Sequence, residues 1–335
     1  MHVLIIGGTG LISTAIARQL LEAGHRMTLY NRGISQNRLP AGAETVRGDR
    51  KDYAAFEQQF AGKTFDAVLD MVAYKSEDSA SAVRAFAGRA AQFIHCSTVC
   101  VYSGPVTQLP TTETEPYHSI GQYGKGKIEC EKLLLDECDR NGFPATIMRP
   151  SHSYGEGGSV IRPFGPANGY VERLRKGKPM VVPGDGTSPW ASCHVEDVAR
   201  GFIGVMGNAK CIGQAYNIAG DEWMTWNTYF EQIAEVVGGS YEPVHIPTDV
   251  LGEVAPAWSR STREIFEWPS IFDNSKIKRD TNYTGQTISW REGVRRNVAW
   301  LESKSRLAAA PGEDYEDRLV EAWRAGISLL PRQGA

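Results

Sequence analysis

Short apolar runs recur along the first 150 residues of the chain, separated by stretches with apolar residues at helical spacing. The first run, residues 2–6, is rich in β-branched residues and is long enough for a buried strand. Similar runs follow at 27–30, 67–71, 93–95 and 145–148. Strands and helices that alternate in this way are typical of βαβ units. The pattern therefore predicts an α/β fold with a Rossmann-like, doubly wound parallel sheet.

A glycine-rich turn joins the first predicted strand to the first predicted helix. Gly7, Gly8 and Gly10 allow a tight turn whose backbone can approach a pyrophosphate, and helical spacing then continues to a stop at Gly24. The helix N-terminus brings free N–H groups and the positive end of a dipole to the same place. A glycine turn in an unrelated α/β protein looks similar. In this strand–turn–helix context, the pattern predicts a dinucleotide site.

The character of the chain changes after Pro150. Glycine and proline become dense, and aromatic residues then cluster between Trp223 and Trp268. We therefore expect a smaller C-terminal α/β substrate lobe beside the dinucleotide-binding domain. The predicted bounds are 1–160 for the dinucleotide-binding domain with 192–220 returning to it, 161–191 and 221–303 for the substrate lobe, and 304–335 for a tail with a linker at 308–313 and a short amphipathic helix at 316–327.

Composition and charge exclude several classes of function. Of 335 residues, 41% are hydrophobic and 22% are charged, and the net charge is −3, so the chain carries no electrostatic footprint for nucleic acid or an anionic membrane. We find no signal peptide or membrane span. The six cysteines form no Cys-x-x-Cys pattern and no metal spacing with the seven histidines. We expect free thiols in a reducing cytoplasm, no metal, and a small molecule as the partner.

Tyr123 and Lys127 stand four residues apart, so on a helix they share one face. A neighbouring ammonium favours the phenolate and lowers the pKa of tyrosine from its ordinary value of about 10 toward neutral pH. Many helices carry the same pair as solvated surface residues. Gly121, Gly124 and Gly126 count against a helix here, each by about 1 kcal/mol. Such a local conflict is typical of functional sites.

Several further motifs occur in a fixed order along the chain. They are Gly7-x-x-Gly10-x-x-Ser13, Gly48-Asp49, Cys96-Ser97-Thr98 with Tyr102, Tyr123-x-x-x-Lys127, Arg149-Pro150 with Tyr154-Gly155, Gly184-Asp185-Gly186, His194-Val195-x-Asp197 and Asp273-x-Ser275-Lys276. With these motifs the chain resembles the extended short-chain dehydrogenases/reductases, a family of NAD-dependent epimerases, dehydratases and reductases, from Met1 to about Leu301. Ordered motifs in this number are far more specific than any one of them.

The resemblance implies a catalytic triad of Thr98, Tyr123 and Lys127. Tyr123 would move the hydroxyl proton while hydride passes between substrate and nicotinamide, Lys127 would hold the nicotinamide ribose, and Thr98 would hydrogen-bond the substrate oxygen. A strand-end hydroxyl that merely satisfies backbone is the alternative for Thr98. The implied cofactor-binding residues are Gly7, Thr9, Gly10, Leu11, Ile12, Asn31, Arg32, Asp49, Met71, Val72, Ala73, Tyr123, Lys127 and Pro150. The family often forms a homodimer through two helices, for which segments 79–87 and 127–138 are the candidates.

The end of the second strand departs from the NAD-binding pattern. A carboxylate there usually holds the ribose 2′-hydroxyl of NAD, but this chain has Asn31 and Arg32. Asparagine does not repel a 2′-phosphate and Arg32 can bind one, so we expect NADP rather than NAD. An arginine exposed in a loop, or stacked on adenine with NAD bound, is the alternative. Asp70, beneath the expected nicotinamide ribose, is also unusual for the family.

Cys100 marks another departure. Dehydratases of the family carry an Asp-Glu pair where this chain has Val99-Cys100, which argues against a 4,6-dehydratase. Cys100 falls where GDP-fucose synthase and GDP-mannose 3,5-epimerase have an acid/base cysteine, and a thiol near Lys127 ionises more easily. A cysteine packed as a small hydrophobe is the commoner case.

His152 and Trp190 are the candidate substrate-binding residues beside Thr98. His152 replaces a usual asparagine, and its imidazole is either a substrate ligand and acid/base or a structural residue. Trp190 replaces an arginine that holds the substrate diphosphate; it can stack on a sugar face instead. These losses argue against an ordinary nucleotide-diphosphate substrate, unless basic residues such as Arg162 or Lys178 compensate.

We therefore predict an NAD(P)-dependent oxidoreductase or epimerase that acts on a secondary alcohol or ketone of a sugar-like substrate, with or without a nucleotide. One alternative is an NADPH-dependent reductase of a small non-sugar carbonyl, with Trp223, Trp226 and Trp258 lining an apolar pocket. An alternative of another class is a non-catalytic relative that binds RNA or protein. Such relatives commonly lose the tyrosine or the lysine, and this chain keeps both.

Overall fold

The computed structural model of the chain describes residues 1–34, 41–166, 169–307 and 313–331, with Glu313 described by its backbone alone. The strands are β1 (His2–Ile6), β2 (Arg26–Asn31), β3 (Glu44–Arg47), β4 (Ala67–Asp70), β5 (Phe93–Cys96), β6 (Ala145–Pro150), β7 (His152–Tyr154), β8 (Met180–Pro183), β9 (Pro189–Trp190), β10 (Ser192–His194), β11 (Ala215–Ile218), β12 (Met224–Thr225) and β13 (Pro243–Ile246). The α-helices are α1 (Leu11–Glu22), α2 (Tyr53–Phe60), α3 (Ser76–Phe86), α4 (Gln122–Asn141), α5 (Gly169–Arg175), α6 (Val195–Val205), α7 (Trp226–Val237), α8 (Thr248–Val254), α9 (Pro256–Ser261), α10 (Ser275–Asp280), α11 (Trp290–Ser303) and α12 (Glu313–Ser328).

The chain divides into two compact units. The described parts of Met1–Ser153, Ala191–Glu222 and Ile271–Ile288 form the first unit, and those of Tyr154–Trp190, Trp223–Ser270 and Ser289–Ala335 form the second. Two differences from the predicted bounds stand out. The segment Ile271–Ile288 was assigned to the substrate lobe but packs in the first unit, and Tyr154 already belongs to the second.

A seven-stranded parallel sheet forms the centre of the first unit, in the order β11-β6-β5-β4-β1-β2-β3. Its inner strands are apolar on both faces because helices cover both. On one face, β1, β4 and β5 pack with α1 and α6, and on the other face the same strands pack with α2, α3 and α4. The predicted doubly wound α/β fold is therefore confirmed.

The polar edge strand β3 was not among the predicted apolar runs. Its sequence, Glu44-Thr-Val-Arg47, is largely exposed, with Val46 half-buried. An edge strand has one free side, so it needs no continuous apolar run.

An aromatic core organises the second unit. Trp226, Tyr229 and Phe230 of α7 pack with Trp290 of α11 and with Trp190. Two small sheets accompany this core, since β8 pairs with β13 in parallel and β9 pairs with β12 antiparallel.

The C-terminal helix α12 is an integral part of the second unit. The carboxylate of Glu316 is buried and accepts hydrogen bonds from the backbone N–H of Val181, at 2.9 Å, and from the guanidinium of Arg162. Asp317 binds Lys178, with 2.8 Å between Nζ and Oδ2. These contacts answer two expectations. The predicted amphipathic helix packs against the second unit through buried Glu316 and Val320 while most of its surface is exposed, and Arg162 and Lys178 are occupied by its carboxylates. The predicted linker at 308–313 lies outside the described residues, apart from Glu313.

None of the helices in the described ranges has the length and apolar character needed to cross a membrane. Within the same ranges, no group of three histidine, cysteine, aspartate or glutamate side chains is placed to hold a metal ion.

Candidate active site

The glycine turn after β1 brings the backbone close to two neighbouring segments. Gly7 has φ of +87°, and its N–H donates to the carbonyl of Tyr30 at 2.8 Å. A Cβ atom at Gly7 would overlap Val72 Cγ1. Ser13 Oγ donates to the Gly7 carbonyl at 2.8 Å and so fixes the first turn of α1. Only glycine fits position 7, for both its backbone angle and its space.

A cleft of about 390 Å³ opens above this turn. It is lined by Ile6, Gly7, Thr9, Gly10, Tyr30, Asn31, Arg32, Gly33, Ile34, Gly48, Asp49, Arg50, Lys51, Val72 and Tyr74. Half of the cofactor-binding residues predicted from the sequence therefore lie together. The other half do not line the cleft: they are Leu11, Ile12, Met71, Ala73, Tyr123, Lys127 and Pro150. Of these, Leu11, Ile12 and Met71 pack against the core between the sheet and α1.

The end of β2 presents amide and guanidinium groups to the cleft. Asn31 Oδ1 accepts the N–H of Gly33 at 2.7 Å, while its buried Nδ2 has no hydrogen-bond partner among the described residues. Arg32 is exposed, and Arg47 reaches the same loop, since a Cβ at Gly33 would lie 3.1 Å from Arg47 Nε. Two arginines therefore flank the position where a carboxylate usually selects NAD.

A buried polar network joins the loop after β3 to the loop after β4. Arg50 Nη2 lies 3.3 Å from Asp70 Oδ2, and the Arg50 guanidinium stacks 4.2 Å from the ring centre of Phe56. The carboxylate of Asp78 accepts from Lys51 Nζ at 2.7 Å. This network explains the unusual Asp70, because its charge is paired with Arg50. Sequence reasoning missed this partner, which stands 20 residues earlier and makes no local pattern.

Lys127 lies on α4 and is almost completely buried, with 1% of its surface exposed. Its Nζ donates to the carbonyl of Ala73 at 2.7 Å and to the carbonyl of Cys96 at 2.6 Å. The lysine therefore ties the end of β5 to the segment after β4. Because an ammonium carries three N–H groups, one remains for another acceptor.

Thr98 connects Tyr123 to the neighbouring turn. It caps a short 3-10 turn, Val99–Tyr102, and its Oγ1 accepts the N–H of Cys100 at 3.2 Å. Its side chain also shares a hydrogen bond with Tyr123. Tyr123, Thr98 and Lys127 are thus brought to one place, with the Lys127 ammonium 6.0 Å from the ring centre of Tyr123.

The pKa of Tyr123 differs from the expected direction. Desolvation raises it well above the ordinary value, and the hydrogen bond from Thr98 opposes that rise only in part. The expectation that Lys127 lowers the pKa is not met in the protein chain alone. The reason lies in the geometry, since Lys127 spends two N–H groups on backbone carbonyls and none on the phenol.

The glycines that argued against a helix have a steric purpose. Gly121 precedes α4 in an extended conformation, as its N-cap. A Cβ at Gly124 would overlap the carbonyl oxygen of Cys100, and one at Gly126 would overlap that of Tyr74. The helix can therefore approach both loops of the site closely only because these two positions lack side chains.

Cys100 and His152 are both neutral at physiological pH. Burial raises the pKa of the Cys100 thiol, although a hydrogen bond to Thr98 acts in the opposite direction. Burial also lowers the pKa of His152 to about 4, and its Nδ1 lies 3.1 Å from Ser192 Oγ. The expectation that Cys100 ionises readily is therefore not supported. His152 would act as a neutral hydrogen-bonding group.

Trp190 is a core residue of the second unit. Its ring stacks on Trp226 at 4.8 Å between centroids and meets Phe266 edge-on, which leaves 4% of its surface exposed. Stacking on a sugar needs an open ring face, so we remove Trp190 from the substrate-binding set. The proposed apolar pocket of tryptophans also fails, because Trp226 is buried whereas Trp223 is 59% exposed.

Sequence reasoning also missed Glu131, one helical turn after Lys127. This buried carboxylate accepts from Arg149 Nε at 3.1 Å, from Tyr117 at 2.8 Å and from Ser97. The contacts hold α4 against the residue that precedes Thr98. The four-residue spacing from Lys127 is a signal that could have found it.

The sequence is similar to known proteins along most of its length. The sequence model of the NAD dependent epimerase/dehydratase family matches residues 3–219. The chain is 25% identical to 2′-dehydrokanamycin reductase of Streptomyces kanamyceticus over 279 residues, covering 83% of this chain and 78% of that protein. It is 30% identical to the chloroplast stem-loop binding protein of 41 kDa b of Arabidopsis thaliana over 255 residues, covering 72% of this chain but 64% of that protein.

The fold is also similar to solved structures. UDP-glucose 4-epimerase of Thermotoga maritima, determined with UDP-glucose, superimposes with a TM-score of 0.74 and 23% identity. The match covers 91% of this chain and all of that one.

Proposed function

The chain belongs to the NAD dependent epimerase/dehydratase family and is an enzyme of the NAD(P)-dependent oxidoreductase and epimerase type, and on that premise we propose that it reduces a ketone of a sugar-like substrate with NADPH. The observation that carries the proposal is the meeting of Thr98, Tyr123 and Lys127, whose lysine is tied to the segment beside the dinucleotide cleft.

The described residues of the first unit fit a dinucleotide. The cleft has the volume usual for ligand sites, and at its floor the left-handed Gly7 brings backbone and the N-terminus of α1 to the surface. We assign Gly7, Thr9 and Gly10 to the pyrophosphate and Asp49 to the adenosine end. When bound, the nicotinamide supplies the hydride for reduction or accepts it in oxidation.

Tyr123 is the proposed proton donor. In reduction, the phenol gives its proton to the substrate oxygen as hydride reaches the carbon, and the phenolate is then reprotonated from solvent. Because desolvation raises the pKa of Tyr123, the phenol is protonated at neutral pH. The protonated phenol is the form that donates in reduction, and its phenolate is the form that accepts a proton when the reaction runs in reverse. The bond to Thr98 fixes the phenol, and the same hydroxyl can hydrogen-bond the substrate oxygen.

We further propose that NADP is the preferred cofactor. Arg32 and Arg47 flank the loop after β2, and the nearby Asn31 carries no charge that would repel a 2′-phosphate. Free N–H groups of guanidinium are the usual ligands of such a phosphate.

The substrate is proposed to be a keto-sugar without a nucleotide diphosphate. The usual arginine for the diphosphate is replaced by Trp190, which is buried, and Arg162 is held by Glu316. The relative from Streptomyces kanamyceticus is by name a 2′-dehydrokanamycin reductase. Neutral Cys100 and His152 would contribute hydrogen bonds to such a substrate.

The test uses the purified full chain with NADP⁺ or NAD⁺ and two probes, kanamycin and UDP-glucose. We expect NADPH formation with kanamycin or a related aminoglycoside and none with UDP-glucose. Native mass spectrometry should show a dinucleotide that exchanges freely, because a reductase releases its cofactor in every cycle. Retained dinucleotide, together with conversion of UDP-glucose to its 4-epimer without added cofactor, would overturn the reductase in favour of an epimerase.

The same spectrum reports the number of subunits. We propose a homodimer formed through α3 and α4, which pack side by side in the first unit. A cytoplasmic location is proposed as well, because six free thiols suit a reducing compartment. A monomer at micromolar concentration would contradict the dimer and leave the redox proposal intact.

The stem-loop binding relative motivates one rival function, the binding of RNA. It is tested by titrating a fluorescent stem-loop RNA at about 150 mM salt, where non-specific binding is weak. Tight binding combined with no NADPH-dependent turnover would favour the rival. We expect turnover and no tight binding.

A further inference from the structure

Tyr74 is an exposed aromatic residue beside the dinucleotide cleft. It follows Ala73, which is completely buried, yet 46% of its own surface is exposed. Its side chain lines the dinucleotide cleft. No motif in the sequence points to this residue.

The ring of Tyr74 lies over the ammonium of Lys127. The Nζ atom is 4.7 Å from the ring centre of Tyr74 but 6.0 Å from that of Tyr123. The first distance is short enough for a cation–π contact. The two tyrosine rings are 6.3 Å apart and inclined by 48°, so the Lys127 ammonium has two aromatic neighbours. Since Lys127 itself is 1% exposed, the half-exposed rings separate it from solvent.

The backbone of Tyr74 is held firmly at both ends. Its N–H donates to Asp78 Oδ2 at 2.8 Å, and that carboxylate is fixed in turn by Tyr53 at 3.0 Å. The carbonyl of Tyr74 packs against Gly126, where no side chain would fit. The ring therefore stands on a fixed backbone.

We propose that Tyr74 is a positioning residue of the active site, whose ring shields the Lys127 ammonium from water and leaves its third N–H to a ribose hydroxyl. The inference rests on the proposed function, because it assumes that Lys127 holds the nicotinamide ribose. Two N–H groups are already given to the carbonyls of Ala73 and Cys96. An ammonium that is covered by the ring and has one free N–H can donate to a ribose hydroxyl from one direction only. A hydrated ammonium would donate to water in several directions.

The first test measures the accessibility of Lys127 in the cofactor-free protein by trace acetylation with acetic anhydride and peptide mass spectrometry. The exposed Lys125, two residues away, is the internal reference. In Tyr74→Ala, we expect the Lys127-to-Lys125 labelling ratio to rise about tenfold, because the covering ring is lost. In Tyr74→Phe, which keeps the ring, the ratio should stay as in the wild type.

If the alanine variant does not fold, Tyr74→Leu is compared with Tyr74→Phe instead. Leucine keeps apolar bulk at this position but has no aromatic face. We expect a ratio above that of Tyr74→Phe. Circular dichroism establishes that each variant is folded before labelling. Labelling ratios in the alanine and leucine variants within about twofold of the wild type would overturn the proposal.

The second readout is NADPH affinity, followed by energy transfer from tryptophan to the nicotinamide. Tyr74→Ala should weaken NADPH several-fold, and Tyr74→Phe should restore it. Unchanged affinity in a folded Tyr74→Ala variant would also contradict the proposal. The labelling experiment needs no cofactor. If the wild type bound no NADPH, the proposed function would be contradicted, but the labelling ratios would still test whether Tyr74 shields Lys127.

Discussion

The two units use their buried residues differently. In the first unit, charged and hydroxyl side chains are buried around the ends of parallel strands, as in the pairs Arg50–Asp70 and Arg149–Glu131. In the second unit, a core of stacked rings such as Trp190, Trp226 and Tyr229 dominates. Buried polar groups must each find a partner, so their geometry is directional, whereas rings need only be packed. Directional polar contacts therefore dominate the strand ends of the first unit and ring packing dominates the second, where the buried pair Arg162–Glu316 is an exception.

This contrast matters for positions at which the family usually carries a functional residue. A tyrosine or a lysine in the first unit sits in a network that fixes its polar atoms. A tryptophan at a substrate position of the second unit is absorbed into the core instead. The predictions that follow separate chemistry from packing at matched positions.

The largest expected effect comes from Tyr123→Phe. Removing the hydroxyl removes the proton donor, so turnover should fall about 10³-fold. The dissociation constant for NADPH and the melting temperature should change little, because 48% of the Tyr123 surface is exposed. Steady-state kinetics and thermal melting measure both. Tyr315→Phe, which removes a hydroxyl bound to the Val254 carbonyl in the second unit, is the control and should keep full turnover. Equal turnover in the two variants would contradict the assignment of Tyr123.

The next effect contrasts two tryptophans of the second unit. Trp190→Ala should lower the free energy of unfolding by about 3–5 kcal/mol, because it leaves a cavity between Trp226 and Phe266. Trp223→Ala removes the same side chain from an exposed position and should change the free energy by less than about 0.5 kcal/mol. Urea unfolding followed by circular dichroism measures the difference. A Trp190→Ala variant as stable as the wild type would show that this ring is no part of the core.

Local patterns predicted the first unit well. Strand β1, the glycine turn and α1 follow from apolar periodicity and from glycine alone, because the signals that predict them all lie within residues 1–24. The strands β4 and β5 agree with the apolar runs to within one residue at their ends. The apolar pattern did not predict the polar strand β3, because a strand at the edge of a sheet needs no apolar run.

Contacts across long stretches of chain could not be predicted. Asp70 is unusual for the family, and its charge is paired with Arg50, a contact that no sequence pattern predicts. No pattern in the sequence predicts that Ile271–Ile288 packs in the first unit either. The position of Trp190 in the motif could not indicate that its side chain is buried, because burial depends on how the whole unit packs. The raised pKa of Tyr123 belongs to the same class, since desolvation is set by the fold.

A pH effect on stability sharpens the contrast, because burial shifts the pKa of a titratable group away from its value in the unfolded chain. The pKa of His152 is about 4 in the folded chain and 6.5 in its ordinary state. The unfolded chain therefore binds the proton first, so stability is full above pH 6.5 and is lost as the pH falls toward 4. This loss should reach about 2 kcal/mol at pH 5 and about 3 kcal/mol below pH 4, and should be absent in His152→Gln.

The control for His152 is His118→Gln, at an exposed position. Buried His95, whose pKa is also lowered by desolvation, contributes in the same direction, so the relevant quantity is the difference between variant and wild type. Chemical unfolding at pH 7.5, 6 and 5 provides it. A wild type and a His152→Gln variant with identical pH slopes would exclude a buried neutral imidazole.

The smallest expected effect concerns cofactor choice at the loop after β2. Arg32→Ala and Arg47→Ala should each weaken NADPH by about tenfold, because each removes one charged ligand of the 2′-phosphate, and should leave NADH within about twofold. Arg140→Ala, at an exposed ion pair with Asp136, is the control and should affect neither dinucleotide. The interpretation turns on the ratio of the two affinities. If Arg32→Ala weakens NADPH and NADH equally, the arginine stacks on the adenine, and the enzyme does not distinguish the cofactors at this loop.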